Sequence, residues 1–173
     1  MEQKEMETKE MKSKEITLHV NMNTKELFSF MMYHTYSSLY GLGGLAISII
    51  SFILLLMGYG KGDDSKLIIL IIAALLFTVI NPIILLVKAK GQKTSNPVYQ
   101  NEMLYVLSDQ GITVHAGNAQ ETVQWNKIQK WKKTKVVHML YTTKINAILI
   151  PTASIKGQEL EVEDCLKAHV RGK

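Results

Sequence analysis

Two stretches of the chain contain no charged residue, and each is long enough to cross a lipid bilayer as a helix. Leu39 to Tyr59 reads LYGLGGLAISIISFILLLMGY, and Leu67 to Val87 reads LIILIIAALLFTVINPIILLV. A helix rises about 1.5 Å per residue, so about 20 residues span the roughly 30 Å of hydrocarbon in a bilayer. The polar segment 60–66 between them is long enough only for a tight turn. The sequence therefore predicts a transmembrane helical hairpin.

The composition of the rest of the chain is that of a water-facing protein. Hydrophobic residues make up 47% of the chain, yet the mean hydropathy is only +0.06 because the apolar residues are concentrated in the hairpin. The net charge of +5 is mild. A surface that faces anionic lipid explains this charge more simply than nucleic acid does. We therefore expect the lipid bilayer, with its anionic headgroups, as a partner and no nucleic acid.

Charges near the hairpin predict its orientation in the cell membrane. The first 15 residues alternate Lys and Glu and lack an apolar run with a cleavage site, so a signal peptide is not expected. The outer ends of the hairpin carry Lys25, Lys88, Lys90 and Lys93, and its turn carries Lys61 and Lys66. Because cytoplasmic flanks are richer in lysine, we expect a two-span protein with both termini in the cytoplasm.

The segments outside the hairpin predict an α+β membrane protein with a small β domain. Ile16 to Met22 alternates apolar and polar residues as a half-buried strand does, and residues 88–97 have the composition of a linker. Short strand-like runs with turns between them then predict an antiparallel meander, and a helical spacing follows in LEVEDCLKAHV. The predicted segments are a polar tail at 1–15, a strand and helix leading into the membrane at 16–38, the hairpin at 39–87, a linker at 88–97, and a cytoplasmic β domain with a C-terminal helix at 98–173.

Small residues form one face of the first predicted span. Gly41, Gly44, Ser48 and Ser51 are spaced by three, four and three positions. Such a face lets two helix backbones approach closely in lipid. We interpret it as the contact with the second span, with homodimerisation as the alternative. In the second span, Pro82 removes a helical hydrogen bond and should bend the helix, and Asn81 is expected to contact the first span or a freed carbonyl.

The order of these elements resembles the YcxB-like family of bacterial membrane proteins. The residues that carry the resemblance are the early strand Ile16 to Met22 with its following helix, LYVLSDQGITV, the Trp125-Asn126-Lys127-Ile128 step, and INAILIP before a short helix. The resemblance covers roughly residues 16–170. It implies a cytoplasmic domain similar to pleckstrin-homology folds, found mostly in Gram-positive bacteria, whose biochemical role is unassigned. The family often has a basic residue after the Ile-Pro pair, whereas Thr152 follows Pro151 here.

No pattern in the sequence is typical of an enzyme. The histidines lie far apart, and none has metal-ligand spacing with another His, Cys or carboxylate. No glycine-rich phosphate loop is visible, and no serine or cysteine has a recognisable paired base. We therefore expect a protein without catalytic activity, metal or cofactor.

A cluster of lysines around one tryptophan is the strongest candidate surface. The cluster consists of Lys127, Lys130, Trp131, Lys132, Lys133 and Lys135. One interpretation is an edge strand whose lysines discourage pairing while Trp131 covers the core. The other is contact with anionic lipid or with a protein partner. In a strand, Lys130 and Lys132 should share one face, and Trp131, Lys133 and Lys135 the other.

Two functions from different classes fit these features. The first is a membrane-anchored module that binds a protein partner or senses the inner leaflet. The second is a bacteriocin-type immunity or membrane-stress resistance protein, in which the hairpin itself protects the bilayer. The second rests on fold-level analogy. A neighbouring gene for a small cationic peptide would favour it.

Overall fold

The computed structural model describes residues 15–170, and it divides into two compact units. The β unit contains the described residues up to Asn23 and those from Asn96 onward, and the helical unit is Thr24–Ser95. The predicted tail at 1–15 lies outside the described residues except for Glu15. The fold class is α+β, with helices, antiparallel sheets and a C-terminal helix, as the sequence predicts at this level.

The β unit is built from two antiparallel sheets. The first has the strand order β1-β2-β3-β4 and the second β5-β6-β7. The strands of the first sheet are β1 Ile16–Val20, β2 Met103–Ser108, β3 Gly111–Ala116 and β4 Ala119–Gln124. Those of the second are β5 Lys130–Lys133, β6 Val137–Tyr141 and β7 Ala147–Pro151. Apolar side chains alternate along β1 and β2 and are buried on one side, which fixes the register of the pair.

Strand β1 belongs to the same sheet as β2, although the helical unit separates them in sequence. Val20 lies opposite Met103 and Ile16 opposite Leu107. The predicted boundary of the β domain at residue 98 is therefore wrong, because the domain also needs β1. Alternation identifies a strand locally, but it does not identify the partner of that strand.

The helical unit consists of α1 Thr24–Tyr36, α2 Leu39–Leu56, α3 Asp64–Leu75 and α4 Asn81–Ser95. A π-helical segment, Leu76–Ile80, joins α3 to α4, so Asp64–Ser95 runs as one helix of 32 residues. This long helix and the 18-residue helix Leu39–Leu56 are long and apolar enough to cross a membrane. Helix α2 packs against α3, and α1 packs against α4.

The predicted linker at 88–97 is wrong over most of its length, since α4 continues to Ser95. The segment AKGQK contains good helix formers, and Ala89 is completely buried within the chain. Packing against α1 therefore outweighs the turn-like composition. The helix stops where the Asn96 side chain accepts a hydrogen bond from the amide of Val98, 3.0 Å away, and starts the short helix α5, Pro97–Gln100.

The last helix of the described residues is α6, Glu159–His169, which follows a short 3-10 helix, Thr152–Ile155. Val162 and Leu166 of α6 are completely buried. The ring of Trp125 stacks on His169 with 4.7 Å between the ring centres, and its Nε1 donates to the carbonyl of Ser108 at 2.7 Å. These contacts join α6 to the turn that connects the two sheets.

Candidate functional site

The predicted basic cluster lies on and beside an edge strand. Among the described strands, β5 pairs with β6 alone. Lys127 lies before the strand in a 3-10 turn, and Lys135 lies after its end at Lys133. The prediction that Lys135 shares the strand alternation is therefore wrong, because the strand stops before it. Lysines at such an edge discourage pairing with another chain.

The side chains of β5 alternate between two faces with different neighbours. The register places these pairs opposite each other: Lys130 and Tyr141, Trp131 and Leu140, Lys132 and Met139, and Lys133 and His138. The Nζ of Lys130 lies 4.4 Å from the centre of the Tyr141 ring. On the other face, the Trp131 ring stacks on His138 with 5.7 Å between centres. Both faces therefore carry exposed lysines, Lys130 and Lys132 on one and Lys133 on the other.

The lysines of the cluster differ in whether they form ion pairs. Lys133 donates to Glu163 of α6 at 2.7 Å, and this contact lowers the pKa of the Glu163 carboxyl. Lys127, Lys132 and Lys135 are exposed and form no ion pair with any residue from 15 to 170. These three lysines are therefore the members of the cluster whose charge could interact with a ligand or a membrane surface.

A polar cleft of about 450 Å³ opens beside the end of β5. Its walls come from β5, β6, the 3-10 helix and the first turns of α6. The residues that line it include Lys133, Lys135, His138, Thr152, Glu159 and Glu163. Two of the predicted cluster lysines, Lys133 and Lys135, thus belong to a concave site and not to a flat surface.

Three polar side-chain atoms are buried without a hydrogen-bond partner in the described part of the chain, and two of them belong to residues that line this cleft. These two are His138 Nδ1 and Thr152 Oγ1. His138 is only 2% exposed. Leaving a buried polar group unpaired costs about 1–3 kcal/mol, so such atoms are rare unless water or a ligand meets them. Burial lowers the pKa of His138, the positive charge of Lys133 lowers it further, and Glu163 opposes them.

The local backbone holds these groups in place. The hydroxyl of Thr134 accepts from the amides of Val136 and Val137 at 3.3 and 3.2 Å, which fixes the turn that carries Lys135. The amide of Thr152 donates to the carbonyl of Val136 at 3.0 Å. The backbone of Thr152 is thus tied to this turn while its hydroxyl stays unpaired.

A second polar feature interrupts the long helix of the helical unit. The hydroxyl of Ser48 donates to the carbonyl of Ala73 at 2.7 Å and accepts from the amide of Phe77 at 3.2 Å. In a regular α-helix these two backbone groups would bond to each other. Ser48 therefore inserts its side chain into the hydrogen-bond ladder of the neighbouring helix, a recognised cause of local distortion.

The carbonyl of Phe77, in the π-helical segment, accepts a hydrogen bond from the side chain of Tyr36. The amide of Asn81 donates to the carbonyl of Leu76, five residues back. With the same five-residue spacing, residue 82 would donate to the carbonyl of Phe77. Residue 82 is a proline, however, and has no N–H to donate. The hydroxyl of Tyr36 donates to that carbonyl and accepts from Nδ2 of Asn81 at 3.2 Å. Asn81 thus contacts α1, and neither the first span nor a freed carbonyl as predicted.

The small-residue face of α2 is divided between two neighbours. A Cβ added at Gly44 would overlap the ring of Phe77, and Ser48 contacts the same turn. A Cβ at Gly41 would instead meet the backbone of Thr35 at the end of α1. Ser51 is also buried. Gly44 and Ser48 thus face the second long helix, and Gly41 faces the preceding helix.

Nothing in the sequence identified His138, Thr152 and Glu163 as neighbours, because they come from three different elements. Their approach depends on the pairing of β6 with β5 and β7 and on the docking of α6. Within residues 15–170, no group of three or more His, Cys, Asp or Glu side chains could hold a metal ion.

Comparison with known proteins identifies one segment. Residues 107–166 match the family model described as YcxB-like protein. This segment begins in β2, includes the polar cleft and extends into α6. The resemblance predicted from the sequence is confirmed over these residues. No curated protein and no solved structure matches the chain.

Proposed function

We propose that this chain, whose residues 107–166 form a YcxB-like segment, is a two-span membrane protein without enzymatic activity. Its β unit is a cytoplasmic, pleckstrin-homology-like module that binds a protein partner or senses the membrane surface. The observation that carries this proposal is the pairing of β1 with β2 on either side of the helical unit.

The pairing supports an even number of membrane crossings. Residues of β1 and β2 exchange hydrogen bonds, so they lie on the same side of any bilayer. A chain that leaves and returns to the same side must cross an even number of times. The two apolar helices between these strands meet that requirement.

The surface of the helical unit supports a lipid environment. Large apolar side chains on both long helices are exposed, including Ile47 at 61%, Phe52 at 54% and Ile69 at 65%. Soluble proteins rarely expose such a continuous apolar surface. Lys88, Lys90 and Lys93 near the end of the long helix favour a cytoplasmic location for that end.

The architecture of the β unit supports a binding role. A four-stranded and a three-stranded antiparallel sheet followed by a C-terminal helix are the elements expected of a pleckstrin-homology-like domain. Exposed Lys127, Lys132 and Lys135 add positive charge near the edge strand. Each lysine close to an anionic leaflet gains about 1 kcal/mol.

Fluorescence in nanodiscs tests the membrane-sensing role. In the full chain with Cys165→Ser, an environment-sensitive dye is attached at Lys132→Cys or, as control, at the exposed Lys144→Cys. Adding phosphatidylglycerol to phosphatidylcholine discs should shift the emission at position 132 to the blue and leave position 144 unchanged. High salt should reverse the shift. Equal behaviour of the two positions would contradict membrane sensing through β5.

Crosslinking in native membranes tests the partner-binding role. A photoreactive amino acid at position 132 should give a defined crosslinked protein that the same group at position 144 does not give. If both positions yield the same products, β5 is not the partner surface.

A further inference from the structure

We propose that the polar cleft at the end of β5 binds an oxyanion, for which phosphate is the simplest probe. Three residues with hydrogen-bond donors, from three different elements, line it: Lys135, Thr152 and His138. The inference deepens the proposed function, since phosphate is also the headgroup chemistry of an anionic lipid. The cleft itself lies wholly within the β unit.

The unpaired atoms are the main argument for a ligand. Buried polar atoms are hydrogen-bonded in nearly all native structures. His138 and Thr152 both line one cleft, and their buried Nδ1 and Oγ1 have no partner among residues 15–170. A neutral imidazole with its proton on Nδ1 and a hydroxyl can both donate to the same oxyanion.

Lys135 is the lysine of the cleft that forms no ion pair with a described residue. Glu163 is engaged by Lys133 at 2.7 Å and by Lys167 at 3.7 Å. Glu159 accepts from the amide of Gly157 at 2.8 Å. The acidic side chains of the wall therefore have donors of their own, whereas Lys135 forms no ion pair in the described chain.

The start of α6 lies beside the cleft, and its first turn carries Glu159 and Glu161. Gln158 precedes the helix and supplies no side-chain cap to its first amides. The first turn of a helix carries partial positive charge and favours an anion nearby. Glu159 and Glu163 line the cleft from these first turns, so this end of the helix borders the site.

NMR of the full chain in uncharged detergent micelles provides the test. The histidine rings are observed in phosphate-free buffer while inorganic phosphate is added, and His138→Gln assigns the signal. We expect saturable shifts of the His138 ring and no comparable shift of His115. Thr152→Val, which keeps the side-chain shape, and Lys135→Gln should each weaken binding about tenfold. Lys144→Gln, at an exposed position that does not line the cleft, is the matched control and should leave the affinity unchanged.

A second experiment distinguishes a lipid headgroup from free phosphate as the ligand. The same protein is placed in phosphatidylcholine discs with or without phosphatidic acid, and no free phosphate is added. A His138 shift only in this arm assigns the cleft to lipid headgroups, and a shift only with free phosphate assigns it to a soluble ligand. Either result supports the site if Thr152→Val or Lys135→Gln removes it.

Two results would overturn the inference. One is the absence of a His138 shift in both arms, which would mean that water alone fills the cleft. The other is equal weakening by Lys144→Gln and Lys135→Gln, which would indicate general charge attraction. Because Lys135 is exposed in a turn, its variant should fold even if Thr152→Val does not. The micelle arm contains no bilayer, so its outcome is independent of membrane sensing.

Discussion

Val20 lies directly opposite Met103 in an antiparallel pair, although the whole helical unit lies between them in the sequence. The apolar side chains of Leu18, Val20 and Met22 are at most 1% exposed. The segment around β1 is therefore part of the core of the β unit.

This relationship predicts which fragment folds. Residues 96–173 alone should fail to unfold cooperatively, whereas residues 15–23 joined to 96–173 by a short Gly-Ser linker should form a stable soluble domain. Each large apolar side chain lost with β1 removes about 1.5–3 kcal/mol of burial, a large share of a stability of about 5–15 kcal/mol. Urea unfolding followed by circular dichroism measures both fragments. Equal unfolding midpoints would show that β1 is dispensable.

The same pairing predicts the topology of the full chain. With Cys165→Ser as background, Ser65→Cys in the turn should react with an impermeant reagent added to intact cells. Ser95→Cys, at the end of α4, should react only after the membrane is opened. Labelling of position 95 from outside would reverse the proposed orientation, and labelling of only one position under all conditions would point to misfolding.

Close packing at Gly44 predicts a large difference between adjacent glycines. Gly44→Leu should lower the stability of the helical unit by about 1–3 kcal/mol, because the new side chain meets the Phe77 ring. Gly43→Leu is the matched control, since nothing lies within 4 Å of a Cβ at that position. Both changes alter helix propensity equally. Thermal unfolding in detergent compares them, and similar losses would place Phe77 away from this face.

The carbonyl left by Pro82 predicts coupling between two distant positions. Tyr36→Phe removes the donor to the Phe77 carbonyl and should destabilise the chain by about 1 kcal/mol. Pro82→Ala restores a backbone N–H, so Tyr36→Phe should cost less in that background. A double-mutant cycle measures the coupling. Tyr33→Phe is the control, and strict additivity of Tyr36→Phe with Pro82→Ala would reject the explanation.

Burial of His138 predicts acid sensitivity of the β unit. Its folded pKa lies below the unfolded value of 6.5, so the unfolded state takes up the proton first as the pH falls. The free energy of unfolding should thus be independent of His138 above pH 6.5 and decrease from there down to the folded pKa. The charged groups around it are Lys133 and Lys135 beside β5 and Glu159 and Glu163 on α6.

A substitution separates this contribution from the other histidines. His138→Phe keeps a ring against Trp131 and should flatten the pH dependence of urea unfolding just below pH 6.5. His115→Gln, on β3, should leave the slope as it is. An unchanged slope in His138→Phe would mean that the imidazole is hydrated in the folded state.

Local patterns were sufficient for the elements but not for their partners. The charge-free stretches predicted the two apolar helices, and the spacing of Gly44 and Ser48 predicted a face that the second helix covers. Helix α4 was missed beyond Lys88 because its stability comes from α1, which composition does not reveal. The π-helical turn depends on Ser48 reaching into another helix.

The candidate site was only partly predictable for the same reason. A run of lysines is visible in any sequence, and its position on an edge strand followed from the pattern of β5. Whether Lys133 would meet Glu163 or a ligand depended on where α6 docks. His138 gave no local signal, since an apolar strand surrounds it. Only the tertiary arrangement reveals its buried nitrogen.

The sheet order also sets the sequence of events during synthesis. Strand β1 is an edge strand whose partner in the sheet is β2, so its ladder cannot form until Met103 to Leu107 have left the ribosome. At about 5–20 residues per second, β1 waits for several seconds, roughly the time needed to make the helical unit. In a two-span protein the hairpin enters the bilayer during that interval. If the chain spans the membrane twice as proposed, closure of the β sheet therefore comes after insertion, and a chain whose spans do not return to the starting side cannot bring its first strand back to the second.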